Sequence, residues 1–163
     1  MSIVQVIPFR LQQQRFAVPL DNVVRVLPCL LPEHLPSAPE QVVGVIDLHG
    51  ELLPVFDFAA IMQLPEHELA YHDQMLLLRL AKQDVVIAVQ RVEDVLDLPE
   101  DAFKASNAEH LHTPALIAVA QHDEQLLFIA DVEQLLNERS SQQLADALQA
   151  WHKKQQADAH ESN

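Results

Sequence analysis

The sequence predicts a mainly β protein made of two similar small β units that a C-terminal helix ties together. Many apolar segments have the length of a strand and are separated by polar or proline-rich turns. A second observation is an internal repeat, and a third is the helical spacing of apolar residues near the C-terminus. With 163 residues, 49% of them hydrophobic, the chain can bury the core of one domain.

The internal repeat relates the two halves of the chain. Residues 18–27 align with residues 87–96, and residues 52–57 align with residues 126–131. Both blocks are predicted to contain the same elements in the same order, namely two strands, a loop, a strand, a turn, a strand, an acidic residue and a helix. Because each block is small for an independent core, we expect the two units to pack together. The groove between them is then the natural place for a ligand or partner.

The first block predicts a series of short strands followed by a short helix. A polar turn at the glutamines 12–14 separates the first two strands. Four prolines between positions 28 and 39 exclude a helix or a central strand, so 28–40 is predicted as an irregular surface loop. The strands are predicted at 3–11, 16–20, 23–27, 42–49 and 52–56, the helix at 58–64 and a polar linker at 65–73.

The second block repeats this order and ends in helix. Strands are predicted at 74–80, 85–89, 92–98, 114–120 and 125–130, a helix first turn at 99–101 and an irregular segment at 107–113. Asp131 with Gln134, and Ser140 with Gln143, have the spacing of helix caps. Leu144, Leu148 and Trp151 follow at helical spacing. From about Gln155 the tail is polar, and we expect it to be disordered.

The segment from Gly44 to Asp57 contains both glycines of the chain, which indicates that backbone geometry requires them there. Val45, Asp47 and His49 are expected to share one face of a strand. A tight turn or bulge is predicted at residues 50–51. Because proline cannot donate to a ladder, Pro54 places its strand at a sheet edge or turns its amide away from the partner strand.

Charge and composition exclude several function classes. The formal net charge is −14 with only ten Lys and Arg, so nucleic acid and anionic membranes are expected to be repelled. No apolar run reaches the ~18 to 20 residues that span a bilayer, and the N-terminus lacks a signal-like pattern. With one cysteine, the chain has no internal disulfide. We expect a soluble, cytoplasmic protein without membrane insertion.

The residue patterns of catalytic and metal sites are incomplete. The glycines fit neither a P-loop nor a dinucleotide fingerprint, and Cys29 has no neighbouring base, which predicts an inert thiol. Asp47 and His49 could orient an imidazole, but no nucleophile accompanies them, so a partner-facing polar pair is favoured. The histidine pairs 110/112 and 67/72 lack a third ligand for zinc. We therefore predict no catalytic residue, no metal and no cofactor.

Several motifs together resemble the CheW family of chemotaxis coupling proteins. They are Phe16-Ala-Val-Pro-Leu with the valines that follow it, the proline-bearing loop that ends at Pro39, and Gly44-Val-Ile-Asp-Leu-His-Gly-Glu-Leu-Leu-Pro-Val-Phe-Asp57. Residues 85–95 and 126–136 are similar to the later strands and closing helix of that family. The resemblance covers roughly residues 3–137.

The resemblance implies a fold of two interlocked SH3-like five-stranded β-barrel subdomains with short helices and a C-terminal helix. We expect one CheW-like domain at 1–154, with subdomains at roughly 12–73 and 74–130 plus exchanged segments, and a disordered tail at 155–163. It also implies a non-enzymatic adaptor that bridges chemoreceptor signalling tips to the regulatory domain of a CheA-type histidine kinase. Receptor helices are expected in the groove between subdomains, and the kinase on a face of one subdomain.

The resemblance also implies a set of partner-binding residues, which are Val23, Arg25, Val26, Gly44, Asp47, His49 and Gly50. Two departures from the family pattern fall in this set. Asp47 and His49 stand where the family motif has Asn and Arg, and Arg25 stands where the family has an acid. Since interface charges set specificity, these changes favour a divergent module for another kinase pathway, such as surface motility or development, or an orphan binding protein. An enzyme or metal protein on the same scaffold is the third alternative.

Overall fold

A computed structural model describes residues 3–65, 68–103, 116–135 and 138–161. The strands are β1 (Ile3–Leu11), β2 (Gln14–Pro19), β3 (Val23–Pro28), β4 (Val42–Leu48), β5 (Glu51–Phe56), β6 (Gln74–Arg79), β7 (Asp84–Val89), β8 (Arg91–Val92), β9 (Leu96–Pro99), β10 (Leu116–His122) and β11 (Gln125–Ala130). The α-helices are α1 (Phe58–Ile61) and α2 (Glu138–Glu161), and short 3-10 helices lie at Leu20–Asn22, Glu100–Ala102 and Val132–Leu135. No helix within these ranges has the length and apolar character needed to cross a bilayer.

The strands form two sheets with the same internal order. The five-stranded sheet runs β3-β6-β7-β5-β4, and the six-stranded sheet runs β10-β11-β2-β1, where both β8 and β9 pair with β1. Each sheet joins two antiparallel hairpins through one parallel pair, β5 with β7 in the first and β11 with β2 in the second. In this correspondence β3 is equivalent to β9, and the hairpin β4-β5 is equivalent to β10-β11.

This correspondence means that the two halves of the chain exchange their N-terminal hairpins. The hairpin β1-β2 lies in the sheet built by β9, β10 and β11, and β6-β7 lies in the sheet built by β3, β4 and β5. The predicted mainly β fold of two similar interlocked units is therefore confirmed. The sheets do not divide at the repeat boundary near residue 73, because sheet membership follows the exchanged hairpins.

The main core fills the space between the two sheets. Phe9 and Phe16 of the six-stranded sheet both contact Phe58 of α1 edge to face, with ring centroids 5.2 Å apart in each pair. The same buried cluster includes Val45 of the five-stranded sheet and Leu144 of α2. Both α-helices thus contribute side chains to the core that the two sheets share, while a smaller apolar cluster lies within each sheet.

The hairpin turns explain how a chain with two glycines makes tight connections. Two-residue turns join β1 to β2 and β10 to β11, and all four turn residues have positive φ. These residues are Gln12, Gln13, Asp123 and Glu124. Two positive φ values are typical of the type I′ turns that match the twist of paired strands. In both turns, non-glycine residues therefore adopt the left-handed backbone conformation, which is less favourable for them than for glycine.

Three local predictions differ from the structure, and a fourth falls on residues that it does not describe. The predicted strand 92–98 is interrupted, because three residues of this segment, 93–95, lie opposite only two residues of β1, so the register shifts by one residue between β8 and β9. The predicted helix 58–64 is regular only to Ile61, where residues with turn geometry follow. Ser140 is not a cap, since α2 begins at Glu138. The irregular segment predicted at 107–113 lies outside the described residues.

The predicted disordered tail at 155–163 is also corrected, as far as residue 161. Helix α2 continues past Gln155 to Glu161. Residues 155–161 include two Gln and two Ala, which favour helix and cost little side-chain entropy there. The polar composition that indicated disorder is therefore the composition of a solvent-exposed helix.

Candidate functional site

The first group of predicted site residues lies on β3, an edge strand of the five-stranded sheet. Among the described strands β3 pairs only with β6, and its register shifts between Val23 and Arg25. Leu27 is buried, whereas Arg25 and Val26 are exposed, with Val26 42% accessible. Val23 is half-buried against the main core. The edge thus presents apolar and cationic side chains beside unpaired backbone groups, an arrangement suited to contact with another protein.

The second group lies on β4 and on the turn that connects it to β5. Leu48 pairs with Glu51, so the turn residues are His49 and Gly50, with φ of 53° and 90°. The predicted turn at residues 50–51 is therefore displaced by one residue, because a type I′ turn needs positive φ at both central positions. His49 consequently projects from the turn into solvent instead of sharing a strand face with Asp47.

Asp47 stabilises this turn. Its Oδ1 accepts a hydrogen bond from the Gly50 amide at 2.8 Å, the local side-chain contact by which Asp and Asn close turns. In the described part of the chain, His49 has no hydrogen bond to Asp47. Asp47 therefore does not orient the His49 imidazole. Its side-chain oxygen instead accepts from the Gly50 amide, as the amide oxygen of an Asn at this position would.

Gly44 allows the proline-rich loop to lie against β4. Glu33 and Val45 exchange backbone hydrogen bonds of 2.8 and 2.7 Å, so the loop adds a short bridge at the sheet edge. A Cβ atom on Gly44 would lie 2.4 Å from the carbonyl oxygen of Glu33 and 3.0 Å from Cβ of Pro32. Glycine is required here by close backbone approach, while Gly50 is required by its φ.

Pro54 lies in an interior strand, not at the sheet edge. It pairs with Val45, whose amide and carbonyl both bond to Glu33 on the opposite side. Val45 and Pro54 are therefore a non-hydrogen-bonded pair, in which the proline nitrogen faces away from β4. Pairing of β5 with β7 begins only at Val55. The second predicted alternative, an amide position directed away from the partner strand, is the one that the structure shows.

The two groups lie at opposite ends of the strand order. Val23, Arg25 and Val26 belong to β3, while Gly44, Asp47, His49 and Gly50 belong to β4 and its turn. Leu27 and Ile46 share one buried cluster beneath these strands. The loop at 29–41 connects the two edges. The predicted residues therefore form two separate surfaces of one sheet and not one compact cluster.

A groove of about 470 Å³ lies beside the β4-β5 hairpin. One wall is the loop at 30–33, another is the hairpin itself, and the third is α2, which contributes Trp151, His152 and Gln155. Trp151 was predicted at core spacing, but its contribution to a groove was not predicted. No local sequence signal could have found this, because the contact joins segments about a hundred residues apart.

The comparisons with known proteins identify the family. Residues 5–140 match the family model described as CheW-like domain. The chain belongs to the CheW-like family. The match extends over both sheets and ends just after α2 begins.

Curated relatives and a solved structure agree with this assignment. The chain is 22% identical over 143 residues to the probable chemotaxis protein CheW of Rhizobium etli, which covers 85% of this chain and 90% of the relative. It is 23% identical over 141 residues to the chemotaxis protein CheW of Bacillus subtilis, with the same coverage. The structure of the scaffolding protein TtCheW from Thermoanaerobacter tengcongensis has a similar fold, with a TM-score of 0.75, 17% identity, and coverage of 86% of this chain and 92% of that chain.

A charged network lies at the far side of this CheW-like fold, in the six-stranded sheet. Arg15 is 6% exposed and forms a 3.0 Å ion pair with Glu93. Its guanidinium also donates to the carbonyl of His122 at 3.3 Å, and Arg10 contacts the same Glu93 at 3.7 Å. The network links β1, β2 and the end of β10 to the segment between β8 and β9. No local pattern in the sequence indicates this network, since its members are distant in sequence.

Cys29 is a free, partly buried cysteine at the start of the loop at 29–41. Burial raises the pKa of its thiol, and the negative charge of Asp73 raises it further. Both effects favour the protonated thiol over the nucleophilic thiolate. Within the described residues, no three His, Cys, Asp or Glu side chains converge in a way that could hold a metal ion. His67, His110 and His112 lie outside those residues.

Proposed function

We propose that this chain is a non-enzymatic signalling adaptor that couples chemoreceptor cytoplasmic tips to the regulatory domain of a CheA-type histidine kinase in the cytoplasm. The observation that carries the proposal is the CheW-like match over residues 5–140. The names of the relatives support it, since they are chemotaxis proteins, and the structural neighbour is called a scaffolding protein.

Two exposed surfaces of the five-stranded sheet are the proposed contacts. Exposed valines on the β3 edge can bury apolar area against a partner, and Arg25 lies between them. The β4-β5 turn presents His49 with a backbone held by Asp47 and Gly50. A turn of fixed shape loses little conformational entropy when it binds, which favours its use in recognition.

Such an adaptor acts without making or breaking a covalent bond. If receptor and kinase bind it together, a conformational change in the receptor can bias kinase activity through contacts that differ between two states. The adaptor then contributes by holding the two partners in one geometry. Its two sheets share one core, so contacts on different parts of the surface are mechanically connected.

A divergent CheW-like module is the second candidate, and the exposure of Arg25 and His49 favours it. Both side chains are exposed on the proposed contact surfaces, so their charge differences from the family pattern can reach a partner. Histidine is mostly neutral near pH 7, whereas the family arginine is always charged. A partner that changed together with these positions, in a pathway such as surface motility or development, is consistent with them.

Calorimetric titration tests the proposal. The protein is titrated with the isolated regulatory domain of each CheA-type kinase from its own genome, and then with receptor signalling tips. Binding in the micromolar range or tighter, about −8 kcal/mol or better, to one kinase and one receptor is expected. Binding to none of the kinases would contradict the adaptor function, and binding only to a kinase outside flagellar chemotaxis would favour the second candidate.

The variant His49→Arg separates the two candidates further. If the chain diverged from the conventional role, this change should strengthen binding to a conventional kinase and receptor pair, because it restores a permanent cation. His72→Arg, which makes the same change on the exposed ring of another loop, is the control. Equal affinity for His49→Arg and the unaltered protein would show that His49 is not a contact.

A further inference from the structure

The second half of α2 extends the candidate site beyond the family's matched region. The CheW-like match ends at residue 140, whereas α2 continues to Glu161. Leu144 and Ala147 are buried in the main core, and Nε2 of Gln143 donates to the carbonyl of Ser37 at 3.2 Å. These contacts fix the helix against the loop at 29–41. These contacts therefore hold the helix in place as one wall of the groove.

The groove combines an apolar floor with acidic walls. Val45, Leu52 and Trp151 supply apolar surface, and Leu31 is 89% exposed at the rim. The carboxylates are those of Glu33 and Asp47, and neither takes part in an ion pair among the described residues. No Lys or Arg lines the groove within those residues, and the whole chain has a net charge of −14. A cationic segment therefore complements it, and an acidic segment is repelled.

We propose that this groove binds a partner segment that presents an apolar side chain flanked by Lys or Arg. The inference rests on the proposed adaptor function and adds to it the chemistry of the bound segment. Trp151 is the expected anchor contact, since large aromatic side chains dominate binding energy at interfaces. Because Trp151, His152 and Gln155 lie outside the matched region, α2 gives this chain a selectivity that the matched residues alone do not encode.

Trp151 makes the proposal directly testable, because it is the only tryptophan of the chain. The full-length protein is titrated with a synthetic amphipathic peptide of about 15 residues that has Leu along one helical face and Lys beside it. A matched peptide carries Glu in place of every Lys. We expect a saturable change in tryptophan emission with the Lys peptide, and binding at least about tenfold weaker with the Glu peptide.

A charge-neutralised variant tests the acidic walls. Glu33→Gln combined with Asp47→Asn removes both charges, and the Asn side chain can still accept from the Gly50 amide. The control, Glu100→Gln with Asp101→Asn, makes the same change of net charge on an exposed 3-10 helix outside the groove. We expect the first variant to bind the Lys peptide about three- to tenfold more weakly, and the control to bind it almost unchanged.

Three results would overturn the proposal. They are equal affinity for the Lys and Glu peptides, absence of a saturable signal, and an emission change that depends on protein concentration without peptide, which would identify a second copy as the occupant. The kinase titration remains independent of this experiment. Peptide binding without kinase binding would refute the adaptor function, but the proposed ligand of the groove would stand. Kinase binding without peptide binding would refute only the proposed ligand of the groove.

Discussion

At the scale of single residues, Gly44 decides whether the proline-rich loop can pair with β4. Gly44→Ala places a methyl group against the Glu33 carbonyl oxygen, so the loop must move, at a cost of about 1 to 3 kcal/mol. Gly50→Ala meets no neighbour and is expected to lose about 1 to 2 kcal/mol through its positive φ. Urea denaturation measures both losses.

Tryptophan emission then separates these two variants. Both glycines lie near the groove that contains Trp151, but only the methyl group of Gly44→Ala must displace the loop that forms one wall, so this variant should shift the emission of the folded protein more than Gly50→Ala. Equal spectra for the two variants would show that the loop accommodates the methyl group without moving.

Cys29 gives a second prediction at this scale. Burial and Asp73 raise the pKa of the thiol, so less thiolate is present at pH 8 than in a free cysteine. Alkylation by iodoacetamide should therefore be slower for the folded protein than for a cysteine peptide, and the rate should recover in urea. The reverse order of rates would show that Cys29 lies in an activating environment.

Some residue roles could be predicted from the sequence alone, and others could not. The scarcity of glycine indicated that Gly44 and Gly50 serve backbone geometry, and the structure confirms this. The contact that requires Gly44 comes from a loop eleven residues earlier, for which the sequence has no signal. His49 was expected on a strand face, because alternation alone does not show where a strand ends and its turn begins.

At the scale of elements, α2 is the main addition to the two sheets. Leu144 is fully buried in the main core, so Leu144→Ala should cost about 2 to 5 kcal/mol of unfolding free energy. Gln149→Ala, on the exposed face of the same helix, should change stability by no more than about 0.5 kcal/mol. Thermal and urea unfolding measure both effects. Similar losses for the two variants would contradict the described packing of α2.

The buried face of α2 could be predicted, but not its length or its contact with the groove. Leu144, Leu148 and Trp151 have the spacing of a helical face, and all three pack toward the core. The end of the helix was misjudged because a polar, charged sequence is compatible both with disorder and with an exposed helix. Tertiary anchoring through Leu144 and Ala147 favours the helix.

At the scale of the whole molecule, the exchanged hairpins make folding dependent on both halves of the chain. Fragments 1–67 and 68–163 each lack strands that complete their sheets. Each should be unfolded alone by circular dichroism, and an equimolar mixture should recover β structure and elute as one complex in size-exclusion chromatography. Cooperative unfolding by either isolated fragment would contradict this prediction.

The internal repeat predicted two similar units, but sequence could not assign each hairpin to its sheet. Both halves have the same order of elements, so each hairpin could pair within its own half or with the other half. The choice depends on long-range packing, since the main core contains side chains from both sheets and both α-helices. The parallel pairs β5-β7 and β11-β2 show that each hairpin pairs with strands from the other half of the chain.

The connections between the sheets have a mechanical consequence. The chain crosses from β2 to β3 through the three residues Leu20–Asn22, and from β7 to β8 through Gln90 alone. Because these connecting segments are so short, one sheet cannot rotate far relative to the other without breaking strand pairs. We therefore expect the two sheets to move together as one stiff body when a partner pulls on a loop of either sheet.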